Sequence, residues 1–445
     1  MLKDKLISLI FILSIIIYLV SPIIYNLGYN YLCGALHIAL LVIFYSIKKT
    51  DNYFDFDTLF LISYTVTFFI YPLFLYPIDP HFFKMFSFSF NEDYINKSTA
   101  LSLIGSASYC IGRINKLKKI HFTCKKNVSR QVLPTKRFIL LAYFLFCLFY
   151  ITGGISNLAN MYDSGMNHAT SISGYIHVLL LPILYIAIVT QFCNSTLFTH
   201  RLRLHNFNKA FLFLLAIYCL SILMTGSRGA VLSIGLIIIW TYTYFYKNIK
   251  LLPFIAIILA GSITLAIVGV MRVDGDSSQL AFVDVFMDLI INNRNNFVAL
   301  EYVDDNGITY GKSMLGSILR IIPLLSGFVH KIFHLNAFET TSSMLLTATT
   351  LGEDFTLGLG TSILADLFLS FGLIGVVVGM GLLGKVITCL EKLLQSGSPI
   401  ILITYVVFIS ISVVIVRTEY FNVLNKLVYA LVAYWILSKL KFKRL

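Results

Sequence analysis

Residues 251–271 read LLPFIAIILAGSITLAIVGVM, twenty-one positions without a charge. A helix needs about 20 apolar residues to cross the hydrocarbon of a bilayer. Stretches of this kind recur along the chain, at 6–25, 27–47, 58–76, 174–193, 210–227, 229–246, 398–416 and 420–438. Of these, 420–438 contains Lys426; another, at 361–384, contains Asp366, and weaker ones sit at 98–112 and 138–152. That makes twelve runs and predicts an all-α polytopic membrane protein, one transmembrane domain over 1–445. Composition agrees: 58% of the 445 residues are hydrophobic and 12% charged, and mean hydropathy is +0.84. A soluble domain carries about 25% charged residues. A cytosolic enzyme, a nucleic-acid-binding module and a disordered chain are thereby excluded. The first run is too long for a signal-peptide core and lacks a small-residue cleavage site, so it reads as a retained anchor.

The net charge of +13 becomes informative once it is mapped. With the N-terminus cytoplasmic, alternate connections place 24 of the 34 Lys and Arg inside and 16 of the 21 acids outside. The inner side then carries +19 and the outer side −6, as the positive-inside rule predicts for twelve helices with both termini cytoplasmic. Residues 113–137 hold nine basic residues and no acid, and read as a cytoplasmic hairpin touching lipid headgroups. The longest connection, 272–360, then lies outside. Val283, Phe286, Met287, Ile290 and Ile291 recur there at helical spacing, with Asp284, Asp288, Asn292, Asn293 and Asn295 between them. This loop is expected to form short amphipathic helices.

The seven cysteines fall in or beside apolar runs without a CxxC pair and read as packing residues. His37 and His177, also in apolar runs, read as packed against backbone carbonyls. Arginines on the outer side run against the topology rule. They are Arg228, Arg272, Arg294, Arg320 and Arg417. Arg228 lies in Thr225-Gly226-Ser227-Arg228-Gly229, a tight break whose glycines let the backbone approach a ligand. A guanidinium there suits a phosphate, which it holds in a bidentate fork. Arg272 has Asp274 or Asp276 as a surface partner, Arg417 has Glu419, and Arg294 is expected on a solvated polar face. An anionic lipid in the outer leaflet would gather such residues, and a lipid-linked diphosphate fits best. Candidate bases are Asp366, Glu353, Asp354 and His330, with Glu339 beside them. His330 and His334 share a helical face, but no carboxylate cluster completes a metal site. No metal and no cofactor are expected.

Three patches carry a family resemblance. They are Thr225-Gly226-Ser227-Arg228-Gly229; Gly311-Lys312-Ser313 followed by Leu319-Arg320-Ile321-Ile322-Pro323; and Gly358-x-Gly360-x-Ser362-x-x-Ala365-Asp366 running into Phe371-Gly372-Leu373-Ile374-Gly375. In their order and sidedness the chain resembles the Wzy-type O-antigen, or oligosaccharide-repeat-unit, polymerases. The resemblance implies a multi-pass enzyme of the bacterial inner membrane with its active site facing the periplasm. Such an enzyme moves a growing glycan from undecaprenyl diphosphate to the non-reducing end of a lipid-linked repeat unit, inverting the anomeric centre without a metal. Its implied partners are those lipid-linked repeats, membrane lipid and a chain-length regulator protein, and no nucleic acid. The expected diphosphate-binding residues are Arg228, Arg272, Arg320 and Arg417, with Gly226, Ser227 and Gly229 shaping the turn. O-antigen ligases share the layout but tend to carry a His-Asn-type pair where this chain reads Gly360-Thr361-Ser362-Ile363. A flippase, the other competitor, calls for charges lining a central cavity and no large outer loop. The Arg-x10-Gly loop motif of some polymerases is not matched, because Ile239 stands where glycine would follow Arg228.

Overall fold

The computed structural model describes residues 2–81, 86, 88–117, 133–163, 172–198, 206–225, 228–270, 283–322, 325–336, 338–355 and 357–439. Among them the fold is helical, with no strand. The helices are α1 (Leu2–Leu19), α2 (Leu27–Lys48), α3 (Phe56–Ile70), α4 (Ile95–Leu117), α5 (Thr135–Ile151), α6 (Gly154–Asp163), α7 (Ile172–Phe198), α8 (Lys209–Met224) and α9 (Arg228–Phe245). They continue with α10 (Leu251–Val270), α11 (Val283–Ile290), α12 (Arg294–Asn306), α13 (Leu315–Leu319), α14 (Leu325–Phe333), α15 (Ser342–Leu351), α16 (Ile363–Leu394), α17 (Pro399–Ile411) and α18 (Asn422–Lys439). Each of the twelve apolar runs falls on a helix. Among the described residues five helices are long and apolar enough to cross a membrane: Leu27–Lys48, Phe56–Leu75, Ile172–Ser195, Arg228–Phe245 and Ile363–Leu394. The chain is a polytopic membrane protein.

The run weakest in hydropathy is the most central. Nearly all of α4 from Ile95 to Cys110 is buried, against α16 on one side and α1, α2 and α3 on others. Its hydropathy is low because it is built of Ser and Gly. Ser102 and Ser108 donate to the carbonyls one turn back, at 2.9 and 2.8 Å, so neither needs an outside partner. Small residues let membrane helices approach backbone to backbone. A Cβ on Gly112 would lie 2.1 Å from the Gly381 carbonyl oxygen, and one on Gly384 2.3 Å from that of Tyr109.

The same contact ends in buried charge. Arg113, wholly buried at the end of α4, reaches Asp57 at 2.5 Å and Glu391 at 2.6 Å. Lys48 pairs with Asp57 and Asp55 at 2.5 and 2.6 Å. Tyr109 donates to Asp57, and Tyr405 donates to Glu391 at 3.1 Å. Arg113 was expected as an ordinary cationic residue of a 113–137 hairpin. It belongs to α4 and ties α2, α3, α4 and α16 together, because a buried guanidinium must be matched by carboxylates. Residues 118–132 lie outside the described ones.

At the other end of the bundle, which we call the cap end, α11 to α15 fold over the helix termini. The amphipathic pattern reads correctly: Met287 and Ile290 are buried with Tyr71, Phe86, Ile95 and Phe297. α16 breaks beneath this cap, where Phe371 and Gly372 leave helical geometry and Gly372 takes φ +61°. The break frees carbonyls that need donors. Thr309 N–H and hydroxyl reach Leu369 O at 2.8 and 3.1 Å, and Gly311 N–H reaches Ser370 O at 3.2 Å. Two of the sequence patches, around Gly311 and around Gly372, therefore dock on one another.

Candidate functional site

At the cap end α3, α9 and α10 enclose a cavity of about 340 Å³. Its walls are chiefly apolar, including Ile62, Val66, Leu236, Ile239 and Ile257. Gly229 and Gly235 on α9 and Gly261 on α10 also line it, and a Cβ on any of the three would meet nothing within 4 Å. Their absent side chains make part of the space. The size is that of a small-molecule site.

The cap end of this groove is charged. Arg228, the first residue of α9, and Arg417, in the turn after α17, both line it together with Asp288 of α11. Arg228 Nη1 lies 3.6 Å from Asp288 Oδ2, and Arg417 Nη1 donates to the Asp288 carbonyl at 3.0 Å. The backbone N–H groups of the first turn of α9 add the positive end of a helix dipole.

A second cavity of about 160 Å³ shares Gly229, Val414 and Arg417 with the first. Ser233, Thr418, Asn422 and Lys426 complete its polar lining, and among the described residues no carboxylate lines it. The Ser233 hydroxyl donates to Gly229 O at 2.9 Å.

Behind the turn carrying Arg417 lies a buried polar network. Asp366, fully buried in the first turn of α16, accepts from Tyr420 N–H at 2.8 Å, with the Ser342 hydroxyl also directed to its carboxylate. Ser362 caps α16 by accepting from Ala365 N–H at 2.9 Å and donates to Asn296. Glu419 accepts from Ser343 at 3.0 Å and pairs with Arg320 at 3.4 Å. α15, α16 and the 417–420 turn are thus fastened to one another next to the cavities.

The expected site residues divide accordingly. Arg228, Gly229 and Arg417 come together at the groove. Arg320 stands apart from both cavities, on Glu419, and Tyr429 donates to its carbonyl at 2.9 Å. Arg272, Gly226 and Ser227 lie outside the described residues, as does the side chain of His330 on α14. Glu353 and Asp354 are exposed in the turn after α15. Glu353, Asp354 and Asp366 line neither cavity. Glu339 pairs with Lys312.

Three expectations need correcting. Arg417 does not pair with Glu419, because the shared turn points Glu419 inward to Ser343 and Arg320. Arg294 is not solvated but 2% exposed, donating to Ser89 O at 2.6 Å and Thr350 at 3.0 Å, with Nε and Nη1 unpartnered among the described residues. Burial pulls its pKa down to about 10, against the attraction of Glu301. The face of 292–296 that looked polar is covered by α15 and by Leu359, whose carbonyl accepts from Asn295 at 3.2 Å. His37 and His177 are packed, but on hydroxyls: Ser106 and Thr65 at 3.1 and 2.9 Å, and Tyr218 at 2.8 Å. Asp288, read as a polar spacer, holds both groove arginines. Lys426 is an ionisable residue inside an apolar run, a signal of function on its own.

Over residues 5–444 the chain matches the family model described as O-antigen polysaccharide polymerase Wzy. No curated protein matches it. No solved structure matches it.

Proposed function

The chain belongs to the O-antigen polysaccharide polymerase Wzy family, and from that premise we propose that it extends a surface glycan at the periplasmic face of the bacterial inner membrane. Its donor is a glycan on undecaprenyl diphosphate, and its acceptor is the non-reducing end of a lipid-linked repeat unit. If each of the twelve apolar runs crosses once with both termini cytoplasmic, the cap end faces the periplasm.

One observation carries this reading: Arg228 and Arg417 sit at the charged end of an apolar groove of about 340 Å³. An apolar channel suits a polyprenyl tail, and two guanidinium groups beside a helix N-terminus suit a diphosphate. In the transfer the acceptor hydroxyl oxygen bonds to the anomeric carbon of the donor. The bond from that carbon to the phosphate oxygen breaks, and its electron pair leaves on undecaprenyl diphosphate. The acceptor proton passes to a carboxylate of the cap, with Glu353 and Asp354 exposed for the purpose, or to His330. Catalysis rests mainly on cations that stabilise charge growing on the leaving diphosphate. Asp366 positions the 417–420 turn through Tyr420. Arg320 steadies the same turn through Glu419 and enters the diphosphate site only if the cap closes further.

Incubation of the purified protein with a defined lipid-linked repeat tests the reading. Products lengthening by whole repeats are expected, with undecaprenyl diphosphate released. Transfer to lipid A–core instead would mark a ligase. A strain lacking the chain should display single repeats on its surface, whereas repeats trapped inside would mark a flippase.

A further inference from the structure

We propose that the 160 Å³ chamber beside the groove is the seat of the diphosphate, and that Lys426 is its innermost cation. The inference rests on the groove holding a lipid diphosphate. A lysine within an apolar helix is expensive unless something of opposite charge meets it. Among the described residues no carboxylate lines the chamber and Lys426 makes no ion pair. To Arg417, which it shares with the groove, the chamber thus adds a second cation, Lys426, and among the described residues no acid. The groove next to it has Asp288 against its two arginines. A diphosphate whose first phosphate meets Arg228 and Arg417 at the groove's end therefore finds a further, unbalanced cation for its second phosphate in the chamber.

The remaining walls fit the same ligand. Asn422 lies one helical turn before Lys426, so both reach the chamber from one face of α18. Its amide can donate to a phosphate oxygen. Gly229 stands between the two spaces with nothing within 4 Å of a Cβ, so a chain can pass from groove to chamber there. A polyprenyl tail in the groove would then carry its first phosphate past Arg228 and Arg417 and its second to Lys426. This arrangement distinguishes a diphosphate from a monophosphate.

Binding of undecaprenyl diphosphate, undecaprenyl phosphate and undecaprenol to the purified full-length protein decides the matter. The wild type should prefer the diphosphate to the monophosphate. K426M should lose roughly tenfold in diphosphate affinity, the scale of a charge-assisted hydrogen bond, leave undecaprenol binding unchanged and no longer prefer two phosphates to one. K426R should recover most of the loss. Diphosphate binding by K426M equal to wild type would overturn the proposal and leave the groove reading standing. A wild type that binds undecaprenol as tightly as the diphosphate would overturn both. Should K426M lose all three lipids, N422L decides: unchanged diphosphate affinity in that variant counts against the chamber, and a selective loss supports it. Inorganic pyrophosphate competing in the wild type but not in K426M would show that the headgroup alone is recognised.

Discussion

Arg228 Nη1 stands 3.6 Å from Asp288 Oδ2, joining the first residue of α9 to the amphipathic helix above it. Arg228 is about a quarter exposed and Asp288 about half, so the pair adds little stability. In the proposed function its role is to aim the guanidinium. R228A is expected to abolish long glycan chains while single repeats still reach the surface, with thermal stability within about 0.5 kcal/mol of wild type. R228K should retain only part of the activity, since an ammonium lacks the bidentate fork. Normal chain ladders in R228A would remove this residue from the mechanism.

Gly235 and Gly261 face open space in the groove, so larger side chains there should not strain the fold. G235L and G261L are expected to fold as well as wild type, because glycine is a poor helix former by about 1 kcal/mol. Both should fill the tail channel and lower turnover of lipid-linked repeats at least tenfold. Full activity in the two together would show that the tail lies elsewhere.

Asp366 touches the reaction only through Tyr420 N–H in this reading. An asparagine oxygen accepts the same bond. D366N should therefore keep activity within a few-fold and leave the pH profile unchanged, whereas D366L should lose activity as the 417–420 turn shifts. Loss of the reaction in D366N with the protein intact would instead make the carboxylate the base.

Asp57 receives Arg113, Lys48 and Tyr109 in one buried cluster. Removing one member of a buried ion pair costs about 3–5 kcal/mol, because the partner stays buried without its match. D57N is expected to lower stability on that scale in thermal unfolding and to reduce yield from membranes. A change under about 1 kcal/mol would mean that water reaches the cluster.

Gly112 and Gly381 meet across α4 and α16 but are not equivalent. A Cβ on Gly112 would overlap the Gly381 carbonyl, whereas one on Gly381 would lie 3.7 Å from the nearest atom, Ser108 O. G112A should force the helices apart at a cost of about 1–3 kcal/mol or more, and G381A should be tolerated. Equal effects of the two on melting temperature would contradict the close approach.

Much of the fold was legible because bilayer solvation acts locally. Every apolar run, including the weak 98–112 and 138–152, lies on a helix, since a chain in hydrocarbon must pair its own backbone groups. The amphipathic residues Met287 and Ile290 announced a buried face for the same local reason. Partnerships were not legible. Arg113 sits in a basic stretch and looks cytoplasmic, and its carboxylates come from residues 57 and 391.

The sequence by itself determined that the chain is helical and membrane-embedded, and it flagged five outer arginines, among them Arg228 and Arg417, because hydropathy and misplaced charge are properties of the residues themselves. Only the tertiary structure decided that these two arginines share Asp288, that Arg294 is buried, that Glu419 answers Arg320, and that Lys426 faces a chamber without an acid. Those facts depend on which helix ends converge. Convergence is set by packing, by the small residues of α4 and by the break at Gly372, each of which acts between segments far apart in the chain.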